Sequence, residues 1–159
     1  MKTRKLLYAM IISGIFAIDQ AIKVWIRKTA VYDILYRLDG ILEITHCFNT
    51  GAAFSMMREY PFAIVGVTVV LLAVSSYYLY QSNHMPVGFC MAMSVLIGGG
   101  LGNFYDRIVY QRVTDYIRLL FIPFPVFNFA DICITGSVVV LAIYILTERL
   151  DVNAHHRNL

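Results

Sequence analysis

Charge is scarce in this chain. Only 14% of its 159 residues are Asp, Glu, Lys or Arg, against 59% that are hydrophobic, and its mean hydropathy is +0.67. A soluble domain is typically about a quarter charged and about half apolar, so a multi-span membrane protein is expected instead. The net charge of +3 is too small to imply a nucleic-acid partner, and no Lys/Arg run is interleaved with aromatics. Cysteine is scarce as well. Cys47, Cys90 and Cys133 stand far apart, with no CxxC and no even-numbered framework, so neither a disulfide scaffold nor a zinc site is suggested. Cys90 and Cys133 fall in apolar segments and are expected to be small core residues. His46, His84, His155 and His156 form no ligand set, and no Ser-His or Cys-His pair comes with a third orienting group. The glycines at 98–102 lack the spacing and the following Lys-Ser/Thr of a phosphate loop. No repeat, low-complexity stretch or linker divides the chain, so a single membrane domain over 1–159 is expected.

What is present is a set of long apolar runs. Lys2, Arg4 and Lys5 precede an apolar stretch, as in a signal peptide. That stretch continues to Ile26, however, and the residues around Ala17 to Ala21 make a poor cleavage site. Leu6 to Ile26 is thus read as a retained first span, since about 20 residues suffice to cross. Further spans are expected at 61–80, 86–104 and 126–147, with extracytoplasmic segments at 27–60 and 105–125 and a polar tail from Glu148 to Leu159. Tyr77, Tyr78 and Tyr80 suit an interfacial belt. The basic cluster directly before the first span places the N-terminus in the cytoplasm, and an even number of spans returns the C-terminus to the same side. The outer side then carries more arginine than the inner. Asp39-Gly40 between Ile34-Leu35 and Ile41-Leu42 predicts a hairpin, and with it a small sheet on the membrane surface. The expected fold is an all-α integral membrane protein: four transmembrane helices, a small extracytoplasmic β-sheet and a helix/loop lid.

The polar residues concentrate between Gly98 and Asp131. Gly98 and Gly102 have the small-xxx-small spacing of close helix packing. Asn103 and Arg107, at i and i+4, share a helix face, while Asp106 is expected to pair locally or face water. Arg107 reads either as a headgroup contact or as a site residue, and its neighbours favour the site. Asp19 and Lys23 are also i, i+4. Ionisable groups in a span are costly and normally face a protein interior or a wet cavity; the plainer alternative is an interfacial pair with Lys23 snorkelling outwards. Asp115 follows the third span and Asp131 lies just inside the fourth. Pro123 and Pro125 turn the chain back into the bilayer, which brings both acids to the same membrane level. Two buried carboxyls close together share one proton, leaving one base to activate water and one acid to protonate a leaving group. The plainer readings are a helix N-terminal acid for Asp131, a loop acid for Asp115, and a tight loop for Asn49 to Ser55.

These residues fall in five ordered stretches: Asp19 to Lys23, Asn49 to Ser55, Gly99 to Arg107, Val113 to Ile117 and Phe124 to Asp131. Over essentially its whole length the chain resembles bacterial lipoprotein signal peptidase (signal peptidase II, peptidase family A8). The resemblance implies an inner-membrane aspartic endopeptidase that needs no cofactor or metal. It implies a prolipoprotein substrate whose lipobox cysteine carries diacylglycerol, cut just before that cysteine. Membrane lipids, and cyclic peptide antibiotics of the globomycin type as inhibitors, come with it as partners. Carried over by motif, Asp115 and Asp131 are the catalytic pair, and Asp19, Lys23, Asn49, Gly51, Asn103, Arg107, Asn128 and Ala130 are supporting or substrate-binding residues. Two positions depart from the pattern: Gln111 where glycine is frequent, and Phe129 where an aliphatic residue is usual. Gln cannot cheaply adopt positive φ. The competing readings are a small ion-coupled transporter, built on Asp19, Lys23 and Asp131, and a non-catalytic scaffold that binds lipid-modified peptides.

Overall fold

The computed structural model describes residues 2–51, 61–81 and 85–157, with side chains described over 3–51, 62–81 and 85–147. Four helices carry the apolar runs: α1 (Lys2–Ile26), α2 (Pro61–Tyr80), α3 (Val87–Tyr110) and α4 (Phe129–Arg157). All four are long and apolar enough to cross a bilayer. Three strands, β1 (Ile34–Leu38), β2 (Leu42–Asn49) and β3 (Val113–Leu119), form an antiparallel sheet in the order β1-β2-β3. The Asp39-Gly40 turn joins β1 to β2. Gly40 takes φ +73°, and the Ile41 amide donates to the Leu38 carbonyl at 3.0 Å.

The central helix is α3, which packs against α1, α2 and α4 and is the most buried of the four. Its glycines make this possible. A Cβ on Gly98 would stand 2.8 Å from Cβ of Ile15 in α1, and one on Gly102 would run into the Asp19 carboxylate. On Gly99 it would stand 2.8 Å from the Ala130 carbonyl oxygen in α4. The Gly98/Gly102 pair thus seats α3 on α1, and Gly99 seats it on α4. The Lys5 ammonium lies 4.6 Å over the Tyr80 ring, so α1 begins where α2 ends. Outward positions such as Val70, Leu71, Val139 and Leu146 are exposed, as suits helix faces bathed in lipid.

Several boundaries differ from the sequence reading. Asp115 is not in a loop. Val113–Leu119 completes the sheet against the free edge of β2, with Asn49 opposite Val113 and Cys47 opposite Asp115. The third helix does not stop near 104; it runs to Tyr110, because Asn103, Asp106 and Arg107 find partners within the protein. It ends at Gln111 in the left-handed conformation, φ 57°, with the Gln111 amide donating to the Arg107 carbonyl at 3.1 Å. The fourth helix begins at Phe129 instead of 126, after an extended stretch tied to β3 by the Ile117–Phe127 bridge. It continues to Arg157, so 148–157 is helical and not a loose tail. Residues 52–60 and 82–84 lie outside the described residues. With them go Ala52 to Ser55 of the second motif, Arg58, part of the 27–60 lid segment, and His84 with the turn that precedes the third helix.

Candidate active site

Three helix ends and one strand meet at one end of the bundle. The last turns of α1 bring Asp19, Gln20 and Lys23, with Arg27 just beyond. The last two turns of α3 bring Asn103, Asp106 and Arg107. Thr114 and Asp115 come from β3, and Asn128 and Asp131 from the start of α4.

The first turn of α4 holds Asp131 by a reciprocal cap. Asn128 Oδ1 accepts the Asp131 amide at 3.0 Å, and Asp131 Oδ2 accepts the Asn128 amide at 3.1 Å. This is a capping box, with the residue before the helix and the third residue inside it satisfying each other's free N–H. Asp131 Oδ1 also accepts Asn103 Nδ2 at 2.7 Å. The Asn128 side-chain amide turns towards the other acid and donates Nδ2 to Asp115 Oδ1 at 2.6 Å. One asparagine therefore holds both carboxyls. The same Nδ2 reaches Asn103 Oδ1 at 3.1 Å, and Lys23 Nζ donates to that oxygen at 2.8 Å. An ammonium has only donors. Lys23 thus turns the Asn103 carbonyl towards itself and leaves the Asn103 NH₂ for Asp131. Asn49 completes the ring. Its Oδ1 accepts the Gly51 amide at 2.9 Å, and its side chain hydrogen-bonds Asp115.

A buried charge cluster stands behind this ring. Lys23 pairs with Asp19 at 2.8 Å and with Asp106 at 3.6 Å, all three side chains fully buried. Arg27 bonds Asp106 at 3.2 Å and Thr114 Oγ1 at 3.1 Å, and its guanidinium lies over the Tyr110 ring. Asp106 Oδ2 accepts the Thr114 amide at 3.0 Å, one residue before Asp115. Gln20 Nε2 donates to Asp19, to Asp106 and to the Gly102 carbonyl. Two sequence expectations change here. Lys23 does not snorkel, because two carboxylates hold it inside. Asp106 neither pairs locally nor faces water; it anchors β3 to α3. Its spacing of three from Asn103 was the available signal, since i, i+3 shares a face as i, i+4 does. Arg27 was also missed, although it follows Lys23 by four residues.

A cavity of about 590 Å³ opens in front of the acids, within the size range of ligand sites. Asn49, Asn103, Arg107, Asp115 and Asp131 form its polar side, while Phe124 to Phe127 and the α4 residues Ile132 to Gly136 form an apolar side. Arg107 donates to the Gly51 and Asn103 carbonyls, both at 3.3 Å. Asp19, Lys23, Asn128 and Gly51 are not among the residues that line the cavity. Ala130, fully buried, belongs to the crossing of α3 and α4.

Burial pushes the Asp115 carboxyl up to about 7. The charge of Asp131 adds to the shift, and the hydrogen bonds from Asn128 and Asn49, together with the Lys23 charge, act against it. Burial also raises the Tyr116 phenol well above its usual range, so it stays a neutral hydroxyl, and its oxygen accepts the Phe129 amide at 3.0 Å. A carboxyl that keeps its proton near neutrality, beside a second one in the same cavity, is the setting for acid–base work on a bound amide.

Four membrane-crossing helices and paired acids in a cavity at one bundle end make a membrane protein with a candidate hydrolytic site. Comparison with known proteins narrows the class. Residues 11–147 match the family described as signal peptidase (SPase) II. Lipoprotein signal peptidases of Streptococcus pyogenes, from serotype M6 and serotype M5 strains, are each 34% identical over 146 residues, covering 91% of this chain and 96% of theirs. Two solved structures, both described as bacterial membrane enzymes determined by the in meso method, share 27% identity with it. One matches with a TM-score of 0.84 over 90% of this chain and 89% of its own, the other with 0.79 over 88% and 92%. The chain belongs to the signal peptidase II family, and is a multi-pass bacterial membrane peptidase.

Proposed function

We propose that Asp115 and Asp131 are the catalytic pair of an aspartic endopeptidase. The enzyme removes the signal peptide from prolipoproteins, the activity of its family. The substrate's lipobox cysteine carries diacylglycerol, and the cut falls just before it. The observation that carries the reading is the single asparagine, Asn128, that boxes Asp131 with its backbone and holds Asp115 with its amide. Asp131 takes a proton from water as the water oxygen attacks the scissile carbonyl. Asp115 gives its proton to the departing nitrogen, the C–N bond breaks, and the signal peptide leaves with a new carboxylate. Arg107 and Asn49, both on the cavity wall, are placed to meet the substrate backbone. Cyclic peptide antibiotics of the globomycin type would compete for the same cavity. The site faces the extracytoplasmic side and both termini lie in the cytoplasm. Transport is disfavoured, because the acids gather at one end of the bundle and make no path across it.

Purified protein supplied with a lipid-modified prolipoprotein tests the pair. Asp115→Asn and Asp131→Asn are each expected to lose roughly 10²- to 10⁴-fold in kcat, the usual range for a lost acid or base. Cleavage that persists in either variant would sink the assignment. Chelators should leave the rate unchanged, since one carboxyl takes the proton from water and the other supplies the proton to the leaving nitrogen. For orientation, Asp39→Cys on the exposed turn should react with a membrane-impermeant thiol reagent in intact spheroplasts. Labelling only after lysis would invert the topology.

A further inference from the structure

Thr114 sits between two residues that line the cavity, Val113 and Asp115, and does not line it itself. Successive strand residues point to opposite faces of a sheet, so Thr114 points to the back of β3 while Asp115 points to the front. Thr114 is as buried as its neighbours. What it meets at the back is Arg27. Arg27 Nη1 donates to Thr114 Oγ1 at 3.1 Å and to Asp106 Oδ1 at 3.2 Å. The other Asp106 oxygen accepts the Thr114 amide at 3.0 Å. Guanidinium, carboxylate and threonine thus close a ring.

The connection from α3 to β3 is only Gln111 and Arg112, and Arg27 grips it on both sides. Its Cζ lies 4.4 Å from the centroid of the Tyr110 ring, on the last residue of α3, while Nη1 holds Thr114, the second residue of β3. Arg27 is itself fixed from α1. Its amide donates to the Lys23 carbonyl at 2.9 Å, and Nη2 reaches Gln20 Oε1 at 3.5 Å. A headgroup contact would leave the guanidinium in the open, but the side chain is only 15% exposed. Neutralising Asp106 does not account for it either. Lys23 already stands 3.6 Å from the same carboxylate, and charge alone calls for neither the bond to Thr114 nor the stacking on Tyr110. A planar group that stacks and bonds at once is a task for arginine and not for lysine.

We propose that Arg27 is a positioning residue for Asp115: by clamping Thr114 from behind, it fixes β3 against α1 and α3 and keeps the Asp115 carboxyl in reach of Asn128 and Asn49. It touches no substrate. The inference rests on the catalytic reading of Asp115 above.

The test compares Arg27→Met, Arg27→Lys, Thr114→Val and Thr114→Ser, with rates counted per folded protein. Thr114→Val removes the hydroxyl and no charge. Arg27→Met and Thr114→Val should each lower kcat on a lipid-modified prolipoprotein by about ten-fold or more, within what a slight misplacement costs, with KM changed less than about two-fold. The double variant should lose little more than Arg27→Met alone, because both changes break one clamp. Thr114→Ser should recover most of the rate, and Arg27→Lys only a minor part. The pH profile is the readout that a mere loss of stability leaves alone. Asp115 faces Asp131 from α4, Lys23 from α1, Arg107 from α3 and Cys47 from β2, and none of these changes in Thr114→Val. The bonds from Asn128 and Asn49 favour its ionised form, so a slackened β3 should move the midpoint of kcat/KM upwards by about half a unit. Arg37→Met removes an exposed arginine of β1 and should change neither rate nor midpoint. An unmoved or lowered midpoint in Thr114→Val, or an Arg27→Lys protein with the parent's rate and midpoint, would reduce Arg27 to a buried charge and overturn the proposal. A second arm does not use cleavage. The melting-temperature gap between Asp115→Asn and its parent reports how Asp115 itself ionises. In the Thr114→Val background the pH at which that gap levels off should rise by the same amount. A levelling point that stays put overturns the clamp. One that rises upholds it, even where Asp115→Asn still cleaves and the catalytic reading fails.

Discussion

At the scale of single residues, Asp115 governs the response to pH. Its ordinary pKa is 3.8, and in the fold it rises to about 7, first through burial and then through Asp131. The folded chain therefore keeps a proton that the unfolded chain has lost. That stabilisation is fully present below about pH 4 and is lost as pH rises through about 7. Asp115→Asn cannot ionise. Its melting temperature should gain on the parent's between pH 4 and 7, and the gap should level off above 7. Turnover has its own signature. A pair that works with one proton loses it as pH rises, so kcat/KM should fall with a midpoint near 7, a value that belongs to the pair and not to one acid. A rate that is flat from pH 6 to 9 would contradict the assignment. That Asp115 and Asp131 reach one membrane level was legible from the order of the spans, and both line one cavity; the chemistry of the residues alone left Asp115 open as a loop acid. The part played by Asp106 was not legible. Its four donors come from α1, from Arg27 just after it and from β3; the i, i+3 spacing from Asn103 points to a shared face but does not show that those elements close over it.

At the scale of elements, the α3 terminus is one of two places among the described residues where a non-glycine residue takes positive φ, Tyr32 being the other. Gln111 holds φ 57° at the C-cap, a conformation that favours glycine. Gln111→Gly removes the steric penalty of about 1–2 kcal/mol, partly offset by the greater freedom of the unfolded glycine. A net gain of about 0.5–1 kcal/mol is expected, read as a higher melting temperature in detergent with turnover unchanged. The opposite outcome is expected at the α3–α4 crossing. Gly99→Val would force the backbone at Ala130 outward and carry Asp131 with it, so activity should fall more steeply than stability. The four helices were legible from hydropathy alone, and the first hairpin from Asp39-Gly40. β3 was not, although Val113, Thr114, Tyr116 and Ile117 favour a strand, because the partner edge it needs cannot be seen from its own residues. What makes it a strand is the waiting edge of β2, a partner some seventy residues upstream.

Over the whole molecule, the site depends on charges held out of water and out of lipid. Lys23 stands between Asp19 and Asp106 with no exposure to solvent. Lys23→Met removes the cation and strands the carboxylates, at a cost of about 3–5 kcal/mol, measurable as reduced yield and earlier unfolding. Adding Asp19→Leu to that variant should recover part of the loss, because the two positions are coupled. The span from residue 19 to residue 131 has one more consequence. The chain enters the membrane from its N-terminus, and the asparagine that steadies both acids arrives only with the last helix. A nascent protein with three helices in place holds Asp115 but neither Asn128 nor Asp131. If Asp115 and Asp131 are the catalytic pair as proposed, the site is completed only when the final segment is seated, and a product truncated before α4 is expected to cleave nothing.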